Sequence, residues 1–192
     1  MNVDPITVPW PPFELRPMLT DDITNALRIE RQCSSQPWTE GIFRDELREP
    51  SRSYTVATFG ELVVGFCGLM INLEEGHITN IATDPSHRRN GIATMLLLQA
   101  TRTAIARSVN AMTLEVRVSN TAARKLYARF GYAPAGVRPK YYADNSEDAL
   151  ILWAHDVDTA EYGVRLAGIS SQLAALHAAN SSSAPPRLGG VR

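Results

Sequence analysis

The sequence predicts an α/β fold, of the α+β kind, in which helices cover both faces of one mixed, mostly antiparallel sheet. Short segments rich in β-branched residues and bounded by turn residues predict strands near both ends of the chain. A single strand–helix–strand unit, residues 78–118, lies between them, and its two strands should be parallel and joined by a right-handed crossover. Hairpin signals such as Gly60-Glu61 make other neighbouring strands antiparallel.

Length and composition indicate one ordinary globular domain. The chain has 192 residues, 44% hydrophobic and 20% charged, with a net charge of −1 and no aromatic-interleaved basic patch. We therefore expect neither nucleic acid nor a membrane as a partner. Two cysteines make no disulfide framework and the N-terminus lacks a signal-peptide pattern, so we expect a cytoplasmic protein. The histidines lack metal-ligand spacing, so no metal is expected.

Periodicity and turn residues divide the chain into strands and helices. Residues 1–12 hold four prolines and are expected to form an irregular lead-in, and residues 13–156 form the predicted domain. The elements predicted in it are strand 13–18, a helix from Thr20 or Asp21 to 33, a helix capped by Thr39, strands 54–59, 62–71 and 78–83, a helix from Gly91 to about 108, strand 112–118, a helix capped by Asn120 and closed by Gly131, and strands 132–141 and 148–153.

The C-terminal appendage, residues 157–192, differs in composition from the domain. Four apolar residues at helical spacing predict a short amphipathic helix. Residues 180–192 are rich in serine, proline and glycine and are expected to be disordered. The helix is expected to be a loosely docked appendage, and docking of a partner protein is the alternative. The four apolar residues are Leu166, Ile169, Leu173 and Leu176.

Residues 88–93, Arg-Arg-Asn-Gly-Ile-Ala, join the strand to the helix of the central unit. The start of a helix carries N–H groups without intrahelical partners and the positive end of the dipole, so it can bind an anion. Gly91 has no Cβ to block close approach, and Arg88 and Arg89 add charged donors for phosphate oxygens. The flanking strand and helix favour a pyrophosphate site over a glycine turn with two solvated arginines.

Two other nucleotide-binding loops do not match, since a P-loop requires Gly-Lys-Ser/Thr and a dinucleotide fold requires Gly-x-Gly-x-x-Gly. Arg88, Gly91 and Ala93 instead resemble the Arg/Gln-x-x-Gly-x-Gly/Ala loop of the GNAT acetyltransferase superfamily. The resemblance extends over about residues 13–153 and implies acetyl-coenzyme A as the cosubstrate. It also implies a central sheet of six to seven strands with a splayed parallel central pair.

Acetyl transfer to an amine needs a base for the amine, a proton for the departing thiolate and a polarised thioester. Glu115, in the middle of a strand, is the candidate base; a surface glutamate paired with Arg117 or a lysine is an equally weighted alternative. Tyr127 is the candidate acid, and a buried core aromatic ring is its alternative. Backbone N–H groups freed where a strand splays can polarise the thioester carbonyl. They belong to Ile81, Ala82 and Thr83.

The runs 114–120, 122–127 and 130–132 resemble the RimI-type branch, which acetylates the N-terminal alanine of a small-subunit ribosomal protein. The resemblance implies Glu115 as general base and Tyr127 as general acid. Two departures are Thr83, where an apolar residue is commoner, and the appendage. With Arg88 from the loop motif, the coenzyme contacts are Ile81, Ala82, Thr83, Arg89, Asn90, Gly91, Ile92, Ala93, Thr94 and Asn120, and the groove residues are Trp38, Tyr141 and Tyr142.

The sequence therefore predicts an N-α-acetyltransferase that acts on a protein, expected to be a ribosomal protein, with alanine or another small residue at its N-terminus. The expected substrate is a peptide N-terminus, since edge strands near Tyr141 can pair with an extended peptide. A lysine or small-molecule amine acetyltransferase of the same fold is one alternative. A non-catalytic acyl-coenzyme A-binding protein is the other.

Overall fold

One sheet organises the molecule. The computed structural model describes residues 8–10 and 12–182. Within these ranges there are eight strands and five α-helices. In chain order they are β1 Val8–Trp10, β2 Phe13–Pro17, α1 Ile23–Cys33, α2 Glu40–Arg48, β3 Arg52–Phe59, β4 Leu62–Asn72, β5 Glu75–Thr83, α3 Ile92–Ala106, β6 Ala111–Arg117, α4 Thr121–Arg129, β7 Ala133–Tyr142, β8 Glu147–Ala154 and α5 Ala160–Ser182.

The predicted fold class is confirmed. The strand order is β1-β2-β3-β4-β5-β6-β8-β7, with β5 and β6 as the one parallel pair in the described sheet. Seven strands correspond to predicted ones, and the eighth, β1, lies in the lead-in that was predicted to be irregular. Its three residues pair with β2 at the sheet edge, where a proline is tolerated because its missing N–H costs no ladder hydrogen bond. Residues 1–7 and 11 of the lead-in lie outside the described residues.

The two parallel strands separate soon after they meet. β5 and β6 pair only from Glu75↔Ala111 to His77↔Thr113. At the same place β5 shifts its register against β4, since Leu69 pairs with Ile78 and Gly68 with Asn80. The second half of β5 therefore has no ladder with β6, and a cleft opens between them, as the family resemblance implied.

Helices cover both faces of the sheet, and each face has its own hydrophobic cluster. On one face, α1 and α2 pack around Phe43, Ile29 and Phe66, all fully buried. On the other face, α3 and α5 fill the larger cluster together with Tyr127 of α4. α3 is apolar on nearly every side. A helix of this kind is expected in a buried position, and α3 lies in the main hydrophobic cluster.

The C-terminal helix differs from its prediction in length and in packing. α5 has 23 residues rather than a few turns, and it continues to Ser182, past the predicted start of disorder at Asn180. Alanine, the strongest helix former, is abundant in its second half. It is not loosely docked, because four of its side chains are buried in the main cluster. They are Tyr162, Leu166, Ile169 and Leu173, at 7, 5, 4 and 3% exposure. Residues 183–192 lie outside the described residues.

Candidate active site

A cleft of about 860 Å³ opens where β5 and β6 separate. Its walls come from the segment between α1 and α2, from the β7–β8 hairpin and from the start of α4. Of the residues predicted from the sequence, seven line it together: Trp38, Ile81, Glu115, Asn120, Tyr127, Tyr141 and Tyr142. The others predicted for the coenzyme, Ala82, Thr83 and residues 88–94, are not part of this lining.

Glu115 lies on the face of β6 that looks into the cleft, opposite the buried Leu114. Its side chain is only 11% exposed, and both of its oxygens have partners. Oε2 lies 2.7 Å from Nε2 of His77, and Oε1 lies 3.0 Å from the guanidinium of Arg138. The alternative in which Arg117 pairs with Glu115 is not what the structure shows, since Arg117 binds the β7–β8 hairpin instead.

His77 is a cleft residue that the sequence analysis did not single out. It lies on β5 at the last pair of the parallel ladder, opposite Thr113, so Glu115 follows two residues later on the same face of β6. An ionised carboxylate can only accept a hydrogen bond, so Nε2 of His77 donates to Glu115 in that state. No pattern in the sequence predicts this contact, because the register of two parallel strands is fixed by tertiary packing.

Tyr127 is a buried core aromatic that also lines the cleft. The residue is 5% exposed and its ring lies 5.8 Å from that of Tyr132, as a core aromatic would. Burial raises the pKa of its hydroxyl, so at neutral pH it is an O–H donor. The residue also lines the cleft. A proton donor is therefore available at the cleft wall.

Glu30 of α1 is a second carboxyl group in the cleft, also not singled out from the sequence. It is 4% exposed, and its oxygens accept hydrogen bonds from Nδ2 of Asn80 at 3.2 Å and from the backbone N–H of Trp38 at 3.5 Å. Burial raises its pKa, although both hydrogen bonds oppose the shift. The available signal was an acidic residue on the buried stripe of a helix, beside Ile29, where charged residues are rare.

Arg117 fixes the outer wall of the cleft. Its guanidinium binds Asp144 at 2.9 Å and Glu147 at 3.1 Å, and it lies 3.8 Å from the centre of the Tyr142 ring. Hydrogen bonds from Ser119 and the contact with Arg117 lower the pKa of Glu147 to about 2, so this carboxylate stays charged. These contacts hold the β7–β8 hairpin, which carries Tyr142, against β6.

The same hairpin reaches across to the segment between α1 and α2. Ser35 donates a hydrogen bond of 2.5 Å to Oδ2 of Asp144. The cleft is thus bridged on its solvent side, between the segment that carries Trp38 and the hairpin that carries Tyr141 and Tyr142. Tyr141 is 48% exposed, so part of this wall faces incoming molecules.

The glycine loop, residues 88–94, lies at the start of α3. Gly91 is the N-cap residue of α3 with φ of +78°, and no side chain caps the helix. Within the part of the chain that the structure describes, the backbone N–H groups of Gly91, Ile92, Ala93 and Thr94 meet no hydrogen-bond acceptor. Four donors therefore converge at the positive end of a 15-residue helix, an arrangement that suits a phosphate group.

The side chains of the loop divide into two groups. Ile92 and Thr94 are buried at 1% and 7% exposure, so only their backbone can face a ligand. Arg88 and Arg89 are exposed and, among the described residues, form no ion pair. Arg88 reaches the sulfur of Cys33 at 3.8 Å, and Cys33 lines the cleft, so the loop begins at the cleft mouth.

The structure gives a further reason for Gly91. A Cβ built there would lie 2.7 Å from Cδ2 of Leu173, so it would clash with α5. The positive φ also favours glycine. Two predicted coenzyme residues at this end of β5 and α4 differ in whether their side chains have partners. The hydroxyl of Thr83 is buried without a partner in the described residues, whereas Oδ1 of Asn120 already caps α4 by accepting from Ala123.

Fold, cleft and glycine loop together define a class of protein. Residues 20–132 match the model of the acetyltransferase (GNAT) family, and the chain belongs to that family. A candidate ribosomal protein bS18-alanine N-acetyltransferase of Bacillus subtilis is 39% identical over 140 residues, which are 72% of this chain and 93% of that protein. The ribosomal protein bS18-alanine N-acetyltransferase of Escherichia coli K12 is 33% identical over 135 residues, or 69% and 90% of the two chains.

Solved structures give the same result. The crystal structure of the Escherichia coli ribosomal-protein-S18-alanine N-acetyltransferase aligns with a TM-score of 0.70 and 30% identity over 75% of this chain and 94% of that one. The NatC complex bound to a Gag peptide and coenzyme A aligns at 0.66 with 20% identity, over 74% and 98% of the chains, which shows the shared fold alone. The predicted GNAT membership and the resemblance to the RimI-type branch are confirmed.

Two searches of the described residues concern metals and membranes. No group of three or more histidine, cysteine, aspartate or glutamate side chains there is arranged to hold a metal ion. A helix with both the length and the apolar composition for crossing a bilayer is also not found in that part of the chain.

Proposed function

We propose that this acetyltransferase transfers the acetyl group of acetyl-coenzyme A to the N-terminal amine of a protein, with alanine or another small residue first. The relatives named for ribosomal protein bS18 suggest a ribosomal protein as the substrate. The compartment proposed is the cytoplasm. The observation that carries the proposal is that Glu115 and Tyr127 line one cleft between the splayed strands. The glycine loop begins at the mouth of this cleft, and its backbone N–H groups have no acceptor among the described residues.

The coenzyme would be held by groups that the structure leaves available. The four N–H groups from Gly91 to Thr94 would bind the diphosphate, with Arg88 and Arg89 as flanking cations. The splayed part of β5, from Ile81 to Thr83, would offer backbone N–H groups to the thioester carbonyl. Bound there, acetyl-coenzyme A supplies an activated acetyl group.

Glu115 would take the proton of the incoming amine. Its contact with His77 orients the carboxylate, while its second partner, Arg138, is 52% exposed and comes from the edge strand β7. A substrate ammonium group can replace the guanidinium of Arg138 at Oε1 without leaving a buried charge unpaired. This exchange would place the amine beside its base.

Tyr127 would give a proton to the thiolate that departs from the acetyl group. Because burial raises the pKa of Tyr127, its hydroxyl remains protonated at neutral pH and can donate. Trp38, Tyr141 and Tyr142 would border the first residues of the peptide, since they form the rim of the same cleft. The hydrogen bond between Ser35 and Asp144 lies at the same rim.

A peptide panel varied at its first residue tests the proposal. The purified protein is incubated with acetyl-coenzyme A and peptides that begin with alanine, serine, leucine or aspartate, and acetylation is followed by mass spectrometry. We expect the modification on the α-amine, fastest with alanine. Acetylation of an internal lysine or of a small amine instead would establish the alternative acetyltransferase, and no transfer despite coenzyme binding would establish a binding protein.

A further inference from the structure

The last turns of α5 lie directly on the glycine loop. Nε2 of His177 is 2.9 Å from the backbone oxygen of Asn90, and His177 is 5% exposed. Its ring lies 5.7 Å from that of Phe13. Leu173 and Leu176 pack over Gly91 from the same side. The family match ends at residue 132, so this contact lies between a family motif and a segment outside it.

The His177 contact fixes the direction of one loop amide. A carbonyl oxygen can only accept, so Nε2 of His177 carries the proton and donates. The carbonyl of Asn90 and the N–H of Gly91 belong to one trans peptide group and point in opposite directions. Because the carbonyl points at α5, the Gly91 N–H points away from α5.

α5 is held firmly enough to act as a reference for the loop. At its start, the hydroxyl of Tyr162 donates a hydrogen bond of 2.6 Å to the backbone oxygen of Phe130, at the end of α4. Further along, Arg129 donates to Gln172 at 2.9 Å. The buried face of the helix belongs to the same cluster as α3. The helix therefore joins the end of α4 to the start of α3.

We infer that His177 is a positioning residue for the coenzyme, and that α5 is a working part of the coenzyme site. The inference rests on the proposed binding of acetyl-coenzyme A at the glycine loop. His177 holds the Asn90–Gly91 peptide in the orientation that presents the Gly91 N–H to the diphosphate. Without this hydrogen bond the Asn90–Gly91 peptide group can rotate. The Gly91 N–H then no longer points at the diphosphate together with the N–H groups of residues 92–94.

Calorimetric titration with coenzyme A tests the inference. His177→Leu removes the donor and fills the buried position with an aliphatic side chain, so we expect the dissociation constant of coenzyme A to rise about fivefold, the effect of one lost hydrogen bond. The KM for acetyl-coenzyme A should rise with it, while kcat and the KM for the peptide stay unchanged. His177→Gln, whose terminal amide can reach Asn90 in place of Nε2, should restore most of the affinity.

Tyr162→Phe is the matched control. It also removes one hydrogen bond from an α5 side chain to a backbone oxygen, but at the end far from the loop. If the inference holds, only His177→Leu weakens coenzyme A binding. Tyr162→Phe should lower the melting temperature and leave the dissociation constant of coenzyme A as in the wild type. Equal losses of affinity in the two variants would reduce His177 to a general stabiliser of α5 and overturn the inference.

Two further outcomes are distinguishable. If titration of the wild-type protein with coenzyme A gives no heat of binding, the proposed function is wrong, whatever the role of His177. If the wild type binds and His177→Leu binds equally well, only the positioning role fails. Should the leucine variant not fold, His177→Asn replaces it, because the shorter amide cannot reach Asn90. Equal affinities of the asparagine and glutamine variants would then refute the role.

Discussion

Glu115 is the residue on which the proposed chemistry depends most. Glu115→Gln preserves the shape of the side chain and can keep a hydrogen bond with His77, but it cannot accept the amine proton. We expect kcat to fall by about 10²- to 10⁴-fold, the usual contribution of a general base, with coenzyme A affinity unchanged. Steady-state kinetics and calorimetry measure the two quantities. Glu61→Gln, at the exposed β3–β4 turn, is the control; a Glu115→Gln variant as active as this control would remove Glu115 from the mechanism.

Asp84 anchors the chain between β5 and the glycine loop. It is 3% exposed, accepts a hydrogen bond of 2.9 Å from the N–H of Ser86, and forms an ion pair with Arg28 of α1. Burial alone would raise its pKa, but the hydrogen bonds from Ser86 and Arg28 outweigh burial, and the pKa is lowered. The charged carboxylate is therefore more favourable in the folded state than in the unfolded state.

Asp84→Asn should destabilise the protein in a pH-dependent way. A lowered pKa in the folded state means that the carboxylate stabilises the fold above its unfolded pKa of about 3.9, and that this stability is lost as the pH falls further. At pH 7 we expect the variant to lose about 2 kcal/mol, as for hydrogen bonds to a charged group. Urea unfolding at several pH values measures this, with the exposed Asp45→Asn as control. A difference that stays constant from pH 7 to pH 3 would contradict the assignment.

The sequence predicted candidate catalytic residues only where a local motif contains them. Glu115 and Tyr127 lie in runs with a family resemblance, and both line the cleft. Glu30 and His77 were missed because their importance comes from contacts between distant parts of the chain. Glu30 meets Asn80 of β5, and His77 meets Glu115 across two strands, and neither contact leaves a pattern in the sequence.

At the scale of elements, most of the local capping signals were correct. The prediction that Thr20 or Asp21 caps the first helix was wrong, because residues 20–22 form a 3-10 turn and the N-cap of α1 is Asp22. Thr39 caps α2 by accepting from the N–H of Ile42, Asn120 caps α4, and Gly131 follows α4 with φ of +84°, all as predicted. Such features depend on a few consecutive residues, so the sequence contains them completely. The strand β1 was missed because three residues with a central proline form a strand only when β2 is beside them.

The central cleft is also a property of elements rather than of single residues. The parallel ladder between β5 and β6 covers three residue pairs, and the register shift of β5 against β4 occurs next to its end. A bulge bends a strand and increases its twist, so it can turn β5 away from β6. The sequence analysis obtained this splay only from the family resemblance, because strand register follows from packing on both faces.

At the scale of the whole molecule, α5 links parts of the chain that the family match separates. It packs on the end of α4, on α3 and on Phe13 of β2, so it closes one face of the sheet. The predicted helix is present, and three residues of its predicted stripe are buried, whereas Leu176 is 37% exposed. A short amphipathic segment also gives no information about what it covers. Only the structure shows that its apolar stripe completes the main hydrophobic cluster.

Deletion of residues 160–192 therefore should remove part of the core rather than an accessory. Leu166, Ile169 and Leu173 are each at most 5% exposed, and burial of such side chains contributes about 1.5–3 kcal/mol apiece. A typical domain has a net stability of about 5–15 kcal/mol, so even after the entropy regained by a freed helix the remaining margin is small. We expect a large fall in melting temperature and binding of a hydrophobic dye, measured by circular dichroism and fluorescence. Deletion from residue 183 onward keeps all of α5 and is the matched control. If the chain without residues 160–192 had the same melting temperature as this control, α5 would be a detachable appendage. Docking of a partner protein would then again be an explanation for it.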